Sequence, residues 1–176
     1  MNIWHDIDDK RIEPWDFMAC IEISKNSKNK YELDKETGVL RLDRVLYTAT
    51  HYPANYGFIP RTYEDDGDPL DVLVLCSEEI IPGAIVECKP IGVLIMSDDK
   101  GNDAKIIAVP LNDPNYNSYN DIEDLPKHLF EEISHFFTYY KTLEHKETYV
   151  HEVQDKARAL EVISRSKKLY HEKFCK

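Results

Sequence analysis

The hydrophobic pattern changes period along the chain. From Phe17 to Leu111 apolar residues form short runs or alternate with polar ones; from Pro126 onward they recur at helical spacing. Phe17 to Ser24 predicts a strand whose apolar run is broken by Glu22. Tyr31 to Asp34 and Val39 to Val45 predict a hairpin through Lys35-Glu36-Thr37-Gly38, with Leu40 and Leu42 alternating with Arg41 and Asp43. Val72 to Cys76, Ala84 to Met96 and Ala104 to Leu111 predict three more strands, with Pro90 bending the second or marking an edge. Leu129, Phe130, Ile133, Phe136, Phe137, Tyr140 and Leu143 predict a helix with Pro126 as its first residue. Val153, Ala157, Leu160, Ile163 and Tyr170 predict a second over 151–173. Tyr47 to Tyr63 holds Pro53, Gly57, Pro60 and four tyrosines, and reads as a structured loop. Trp4 and Trp15 are expected as packing anchors in an irregular start.

Strands first and helices last predict an α+β fold. Many short strands with Gly and Pro turns fit a small closed β-barrel with the helices on its outside. The 176 residues suffice for one domain with a real core, and no boundary interrupts 1–176.

Charge narrows the partners. The formal net charge of −11 argues against a nucleic-acid or anionic-membrane surface. Met1 to Lys10 lacks the apolar core of a signal peptide, and no apolar run is long enough to span a bilayer. Cys20, Cys76, Cys88 and Cys175 have no zinc or C-x-x-C spacing; the first three read as core thiols, and a reducing cytoplasm is expected.

The chemistry concentrates in Glu64-Asp65-Asp66-Gly67-Asp68-Pro69-Leu70-Asp71, where five of eight residues are carboxylates. Gly67 permits a turn, Pro69 stiffens it, and Asp71 is anchored where a strand begins. Such a turn suits a hard divalent ion such as Mg²⁺, though a solvated acidic turn is also common. An EF-hand is excluded, because Gly67 comes too early and position twelve from Asp66 is Ser77. A second acidic turn, Ser97 to Asp103, carries Asp98, Asp99 and Asp103, with Lys105 on the Asp103 face of the next strand. If both turns share one rim, more than one metal fits. Lys30 and Glu32 share a strand face, Arg44 has the parity of Leu40 and Leu42, Tyr56 lies in the aromatic loop, and Tyr140 and Lys141 end the first helical stripe. Singly, each reads as surface, salt bridge or core. Together, they look like the cationic half of a phosphate site.

Asp66-Gly67-Asp68-Pro69-Leu70-Asp71-Val72 matches the signature segment of the soluble family I inorganic pyrophosphatases at all seven positions. Ile21-Glu22-Ile23, Lys30-Tyr31-Glu32, Asp43-Arg44, Tyr52 to Gly57, Asp98 to Lys105 and His135 to Lys141 also resemble the family, in its order and spacing. The resemblance covers about residues 15–145 and points to the bacterial type. It implies an OB-like closed barrel with two flanking C-terminal helices. It implies hydrolysis of inorganic pyrophosphate to two orthophosphates by a metal-activated water, with several Mg²⁺ ions and no covalent intermediate. On the matched positions it implies Asp66, Asp71 and Asp103 as ligands of one tight metal, with Asp71 bridging to a second. Asp98, Asp103 and Glu22 would help hold metals arriving with the substrate, and Glu32 would support the metal shell. Asp68 would orient the water and accept its proton; Lys30, Arg44, Tyr140 and Lys141 would grip phosphate; Lys105 and Tyr56 would lie close to the reaction. It further implies a homo-oligomer, by analogy a hexamer, with His135 near a subunit contact. It assigns Asp99 no role. The rivals are a non-catalytic OB-like binding module, which the absence of a basic groove disfavours, and another Mg²⁺-dependent phosphohydrolase, for which no Gly-rich phosphate loop is evident.

Overall fold

In the computed structural model, which describes residues 1–176, nine strands follow one another. They are β1 (Ile12–Glu13), β2 (Asp16–Ile23), β3 (Asn29–Leu33), β4 (Leu40–Val45), β5 (Asn55–Phe58), β6 (Asp71–Val74), β7 (Ile85–Asp98), β8 (Gly101–Pro110) and β9 (Tyr149–Asp155). The helices are α1 (Ile3–Asp6), α2 (Lys127–Tyr139) and α3 (Lys156–Phe174). Five strands close a ring in the order β2-β5-β6-β8-β7, and β7 returns to β2. One strand makes closure possible. The first half of β2 pairs with β7, from Phe17 opposite Cys88 to Cys20 opposite Ile85. Its second half pairs with β5, with Ile21 opposite Gly57. The only parallel pair in the ring is β6 with β8, which sets Asp71 opposite Lys105.

Along the barrel strands, neighbouring residues alternate between two apolar clusters, as the twofold repeat of a strand requires. Leu73, Leu94 and Ile107 pack with Phe130, Ile133, Phe136 and Phe137 of α2. Val72, Val93, Ile106 and Ala108 pack with Ala159 and Ile163 of α3. Both faces are apolar, so these strands read as continuous hydrophobic runs. This is the expected α+β, OB-like barrel with two C-terminal helices.

Several expectations are corrected. The aromatic loop contains a barrel strand, β5. Its four residues lie among Pro53, Gly57 and Pro60, too short and too punctuated for a strand pattern. Gly57 is required there because a Cβ would run into the Cys20 carbonyl of β2. The second helix begins at Lys156, not 151; Tyr149–Asp155 is an edge strand on β7, with Leu94 opposite Val153. Val150 and Val153 are three apart, a helical spacing; in the strand a register shift opposite Ile95 and Met96 brings both against the α2 cluster. The Asp155 side chain ends the ambiguity by capping the helix, accepting from the Arg158 N–H at 3.1 Å. Pro126 precedes α2 as its cap residue, and Leu143 lies beyond the helix, 60% exposed. Trp4 is a buried anchor, donating Nε1–H to the Thr62 carbonyl at 2.8 Å, but Trp15 is 62% exposed. Cys20 and Cys88 are buried; Cys76 is only half-buried at the end of β6. Pro90 marks a bend, a register shift between Pro90 and Gly92. No helix is long and apolar enough to cross a membrane.

Candidate active site

The hairpin β3–β4 stands apart from the barrel as its own two-stranded sheet. The space between it and the barrel rim is a cleft of about 600 Å³. Glu22 enters from β2, Lys30 and Glu32 from β3, and Tyr56 from β5. Asp66, Asp68 and Asp71 come from the acidic turn, Asp98, Asp103 and Lys105 from the β7–β8 hairpin, and Tyr140 and Lys141 from the end of α2. Twelve of the thirteen residues singled out above therefore line one cavity. Arg44 does not. It sits opposite Lys30 in the hairpin ladder, contacts Asp43, and places Nε 2.7 Å from Glu144 Oε1.

The acidic turn is built locally. Gly67 takes φ +88°, a conformation side chains rarely adopt. Asp66 Oδ1 accepts the Asp68 N–H at 3.0 Å, and the Glu64 N–H donates to the Asp68 carbonyl at 2.8 Å. The chain then enters β6 at Asp71, flanked by fully buried Leu70 and Val72. Glu64 and Asp65 face α3 rather than the cleft: Ser166 Oγ donates to Glu64, and Arg165 lies 3.0 Å from Asp65. The C-terminal helix thus anchors the site from outside, a role the sequence pattern did not suggest.

Lys105 is the centre of the cleft floor. Its ammonium is buried, 2.9 Å from the Tyr56 hydroxyl, 2.8 Å from Asp71 Oδ2 and 3.2 Å from Asp103 Oδ2. Burial works against its charge, but Asp103 and Asp71 outweigh that and hold it charged well above the ordinary lysine range. One ammonium serves two carboxylates. Burial pushes the Asp103 carboxyl up despite Lys105, and Asp71 adds to the push. Burial likewise raises Asp66, with Asp68 and Asp71 adding repulsion. It raises Glu22 to about 8, against the Leu33 N–H that Glu22 Oε1 accepts at 2.8 Å. A further cation among these oxygens would relieve all three.

The donors are carboxylate oxygens, the hard set that Mg²⁺ prefers. No three acidic, His or Cys side chains converge as a ready-made cage. Cationic groups line the same cleft. Lys30 lies 3.5 Å from Glu32 and 3.6 Å from Asp43, and Lys141 stands 5.2 Å from the Tyr140 ring centroid. Burial and the nearby Lys105, Lys30 and Arg44 push the Lys141 ammonium down, so an anion would be welcome beside it. Burial raises the Tyr140 hydroxyl, which stays a neutral donor.

The structure adds residues the sequence reading had not picked out. Lys35, from the hairpin turn, contacts Asp68 Oδ1. Arg41 Nη2 is 2.5 Å from Glu32, and Asp43 bridges Lys30 and Arg44. Arg41 was visible only as a polar partner in an alternating strand; its contact depends on the register that sets Glu32 opposite Arg41.

A family model for inorganic pyrophosphatase matches residues 19–171. The chain is 46% identical over 169 residues to soluble inorganic pyrophosphatase 1 of Arabidopsis thaliana, covering 96% of this chain and 80% of the plant one. It is 42% identical over 175 residues to the inorganic pyrophosphatase of Haloferax volcanii, covering 99% of each. The solved structure of inorganic pyrophosphatase from Thermus thermophilus superposes with a TM-score of 0.91 at 41% identity, covering 97% of this chain and 99% of that one.

Proposed function

This chain belongs to the inorganic pyrophosphatase family and hydrolyses pyrophosphate to two orthophosphates, and we propose that it does so by direct attack of a metal-activated water. The observation that carries this reading is the mixed charge of the cleft: carboxylates gathered around Lys105, with Lys30, Tyr140 and Lys141 lining the same space. Pyrophosphate is a compact polyanion, so each phosphate repels the other and the incoming nucleophile. Mg²⁺, when bound, supplies charge neutralisation and a lowered pKa for coordinated water.

Asp66, Asp71 and Asp103 would hold the tight cation, Asp98, Asp103 and Glu22 would help hold those arriving with substrate, and Glu32 would support the metal shell. Asp68 orients the attacking water and takes its proton. Lys30, Tyr140 and Lys141 bind phosphate oxygens, with Arg44 supporting them from beside Lys30 through Asp43. Lys105 stays protonated beside Tyr56 and faces the charge that develops as the bridging P–O bond breaks. The bond formed is water oxygen to phosphorus, and the departing orthophosphate keeps the bridging oxygen. No side chain becomes esterified.

The same reading takes residues 1–176 as one catalytic domain, acting in the cytoplasm as a homo-oligomer, by analogy a hexamer. Light scattering on a sizing column tests the assembly. The deciding assay is phosphate release from pyrophosphate with and without Mg²⁺, on wild type and Asp71→Asn. Release that needs Mg²⁺ and falls by about 10³-fold in Asp71→Asn supports the mechanism. Metal-independent release, or full activity in Asp71→Asn, overturns it.

A further inference from the structure

We propose that Lys35, on the β3–β4 turn, is a positioning residue for Asp68, holding its carboxylate where it can take the proton of the attacking water; this rests on the role given to Asp68 above. The Lys35 ammonium contacts Asp68 Oδ1 and lies 3.4 Å from the Gly67 carbonyl, so it bridges the side chain and the backbone of one turn. It is the one hydrogen-bonding partner of the Asp68 carboxylate. The Asp68 backbone is already pinned, through Asp66 Oδ1 and the Glu64 N–H. What remains free is the rotation of its side chain, and the Lys35 contact biases that rotation towards one orientation.

Lys35 is itself held. Asp34 Oδ1 accepts the N–H groups of Glu36 at 3.0 Å and Thr37 at 2.9 Å, which locks the turn. Asn2 Nδ2 donates to the Lys35 carbonyl at 3.0 Å. The ammonium lies 5.8 Å from the centroid of the Trp4 ring, whose buried Nε1–H is fixed on Thr62. A line of contacts therefore runs from α1 through the hairpin turn to the acidic turn. Stability does not account for it. The Lys35 and Asp68 side chains are 51% and 47% exposed, and ion pairs this open add little to folding. Lys105 differs: its contacts with Asp71 and Asp103 are buried at the cleft floor.

The test is a double-mutant cycle in steady-state kinetics at saturating Mg²⁺, using Lys35→Ala, Lys35→Arg, Asp68→Asn and the Lys35→Ala/Asp68→Asn pair. Lys35→Ala is expected to lower kcat by about tenfold, the scale for losing a group that orients a reacting one. KM is expected to hold within about twofold, because the lost interaction acts only in the transition state. Lys35→Arg restores most of kcat, and the melting temperature moves by no more than about 2 °C. In the Asp68→Asn background, Lys35→Ala has no further effect on kcat. An additive loss in the double variant overturns the proposal, as does a higher KM at unchanged kcat, which makes Lys35 a substrate ligand. Inactive Asp68→Asn with wild-type Lys35→Ala overturns the role of Lys35 alone. Wild-type turnover in Asp68→Asn overturns the role of Asp68 itself.

Discussion

The barrel and the β3–β4 hairpin face each other across the cleft, and they are held together by different physics. In β6, Val72, Leu73 and Val74 are fully buried, and β8 buries Ile106, Ile107, Ala108 and Val109 to the same degree. In β3 and β4 no residue is fully buried, and Leu42 and Val45 are about half exposed or close to it, at 50% and 48%. The barrel is ordered by apolar packing. The hairpin is ordered by its ladder and by ion pairs among Lys30, Glu32, Arg41, Asp43 and Arg44. These pairs are partly shielded, with the Lys30 and Arg44 side chains 19% and 20% exposed. The barrel fixes Asp71, Asp103 and Lys105 on packed strands, while the hairpin carries Lys30 and Glu32 on a frame with no fully buried residue. Damage to the barrel should show first in stability, and damage to the hairpin first in turnover.

The largest effect that sharpens this contrast is Gly57→Ala. The added Cβ meets the Cys20 carbonyl inside the barrel ladder, where backbone cannot yield cheaply. We expect a loss of about 4 kcal/mol or more, read as a melting temperature lowered by roughly 10 °C or as failure to fold. Wild-type stability in this variant would break the picture of a rigid barrel seam.

The next effect lies where the two regions join. Glu22 belongs to barrel strand β2, but its carboxylate accepts the N–H of hairpin residue Leu33. Burial raises its folded pKa from 4.5 to about 8, with Asp71 and Glu32 adding repulsion against the pull of Leu33 and Lys30. A raised folded pKa means stability present below about 4.5 and lost as pH rises towards about 8. In EDTA, Glu22→Gln should match wild type near pH 4.5. It should then become the more stable protein by on the order of 3 kcal/mol near pH 8. Mg²⁺ should shrink the gap, because a cation beside Glu22 favours its charged form. A gap independent of pH, measured by thermal melts across that range, would remove Glu22 from the seam.

The smallest effect is Leu42→Ser on the outer hairpin. With the side chain half in water, the expected cost is under about 0.5 kcal/mol in chemical denaturation. A cost near that of a barrel residue would show that the hairpin packs against something in solution, such as another copy of the chain.

Much of the site was legible in the sequence because its residues sit on short, stiff local patterns. Gly67 and Pro69 define the acidic turn, Asp71 borders an apolar run, and Asp103 and Lys105 share a face two residues apart. The hairpin was legible from Gly38 and the alternation that follows it. One barrel strand and one edge strand were less so. β5 owes its form to close approach of β2 at Gly57, and β9 to the open edge of β7, neither of which is a local property.

The sequence by itself determined that this chain folds as a small barrel followed by helices, and that its chemistry rests on carboxylates with a cationic counterpart. Turn residues and hydrophobic period are local, and they act through the few residues beside them. Only the tertiary structure decided how those charges divide. It placed Lys105 between Asp71 and Asp103, turned Glu64 and Asp65 towards α3, set Arg44 opposite Lys30, and brought Lys35 to Asp68 across 33 positions. The acidic turn alone cannot tell which of its carboxylates meets a cation of its own chain and which stays short of one. That depends on strand register and on burial, and both are set by the closing of the ring.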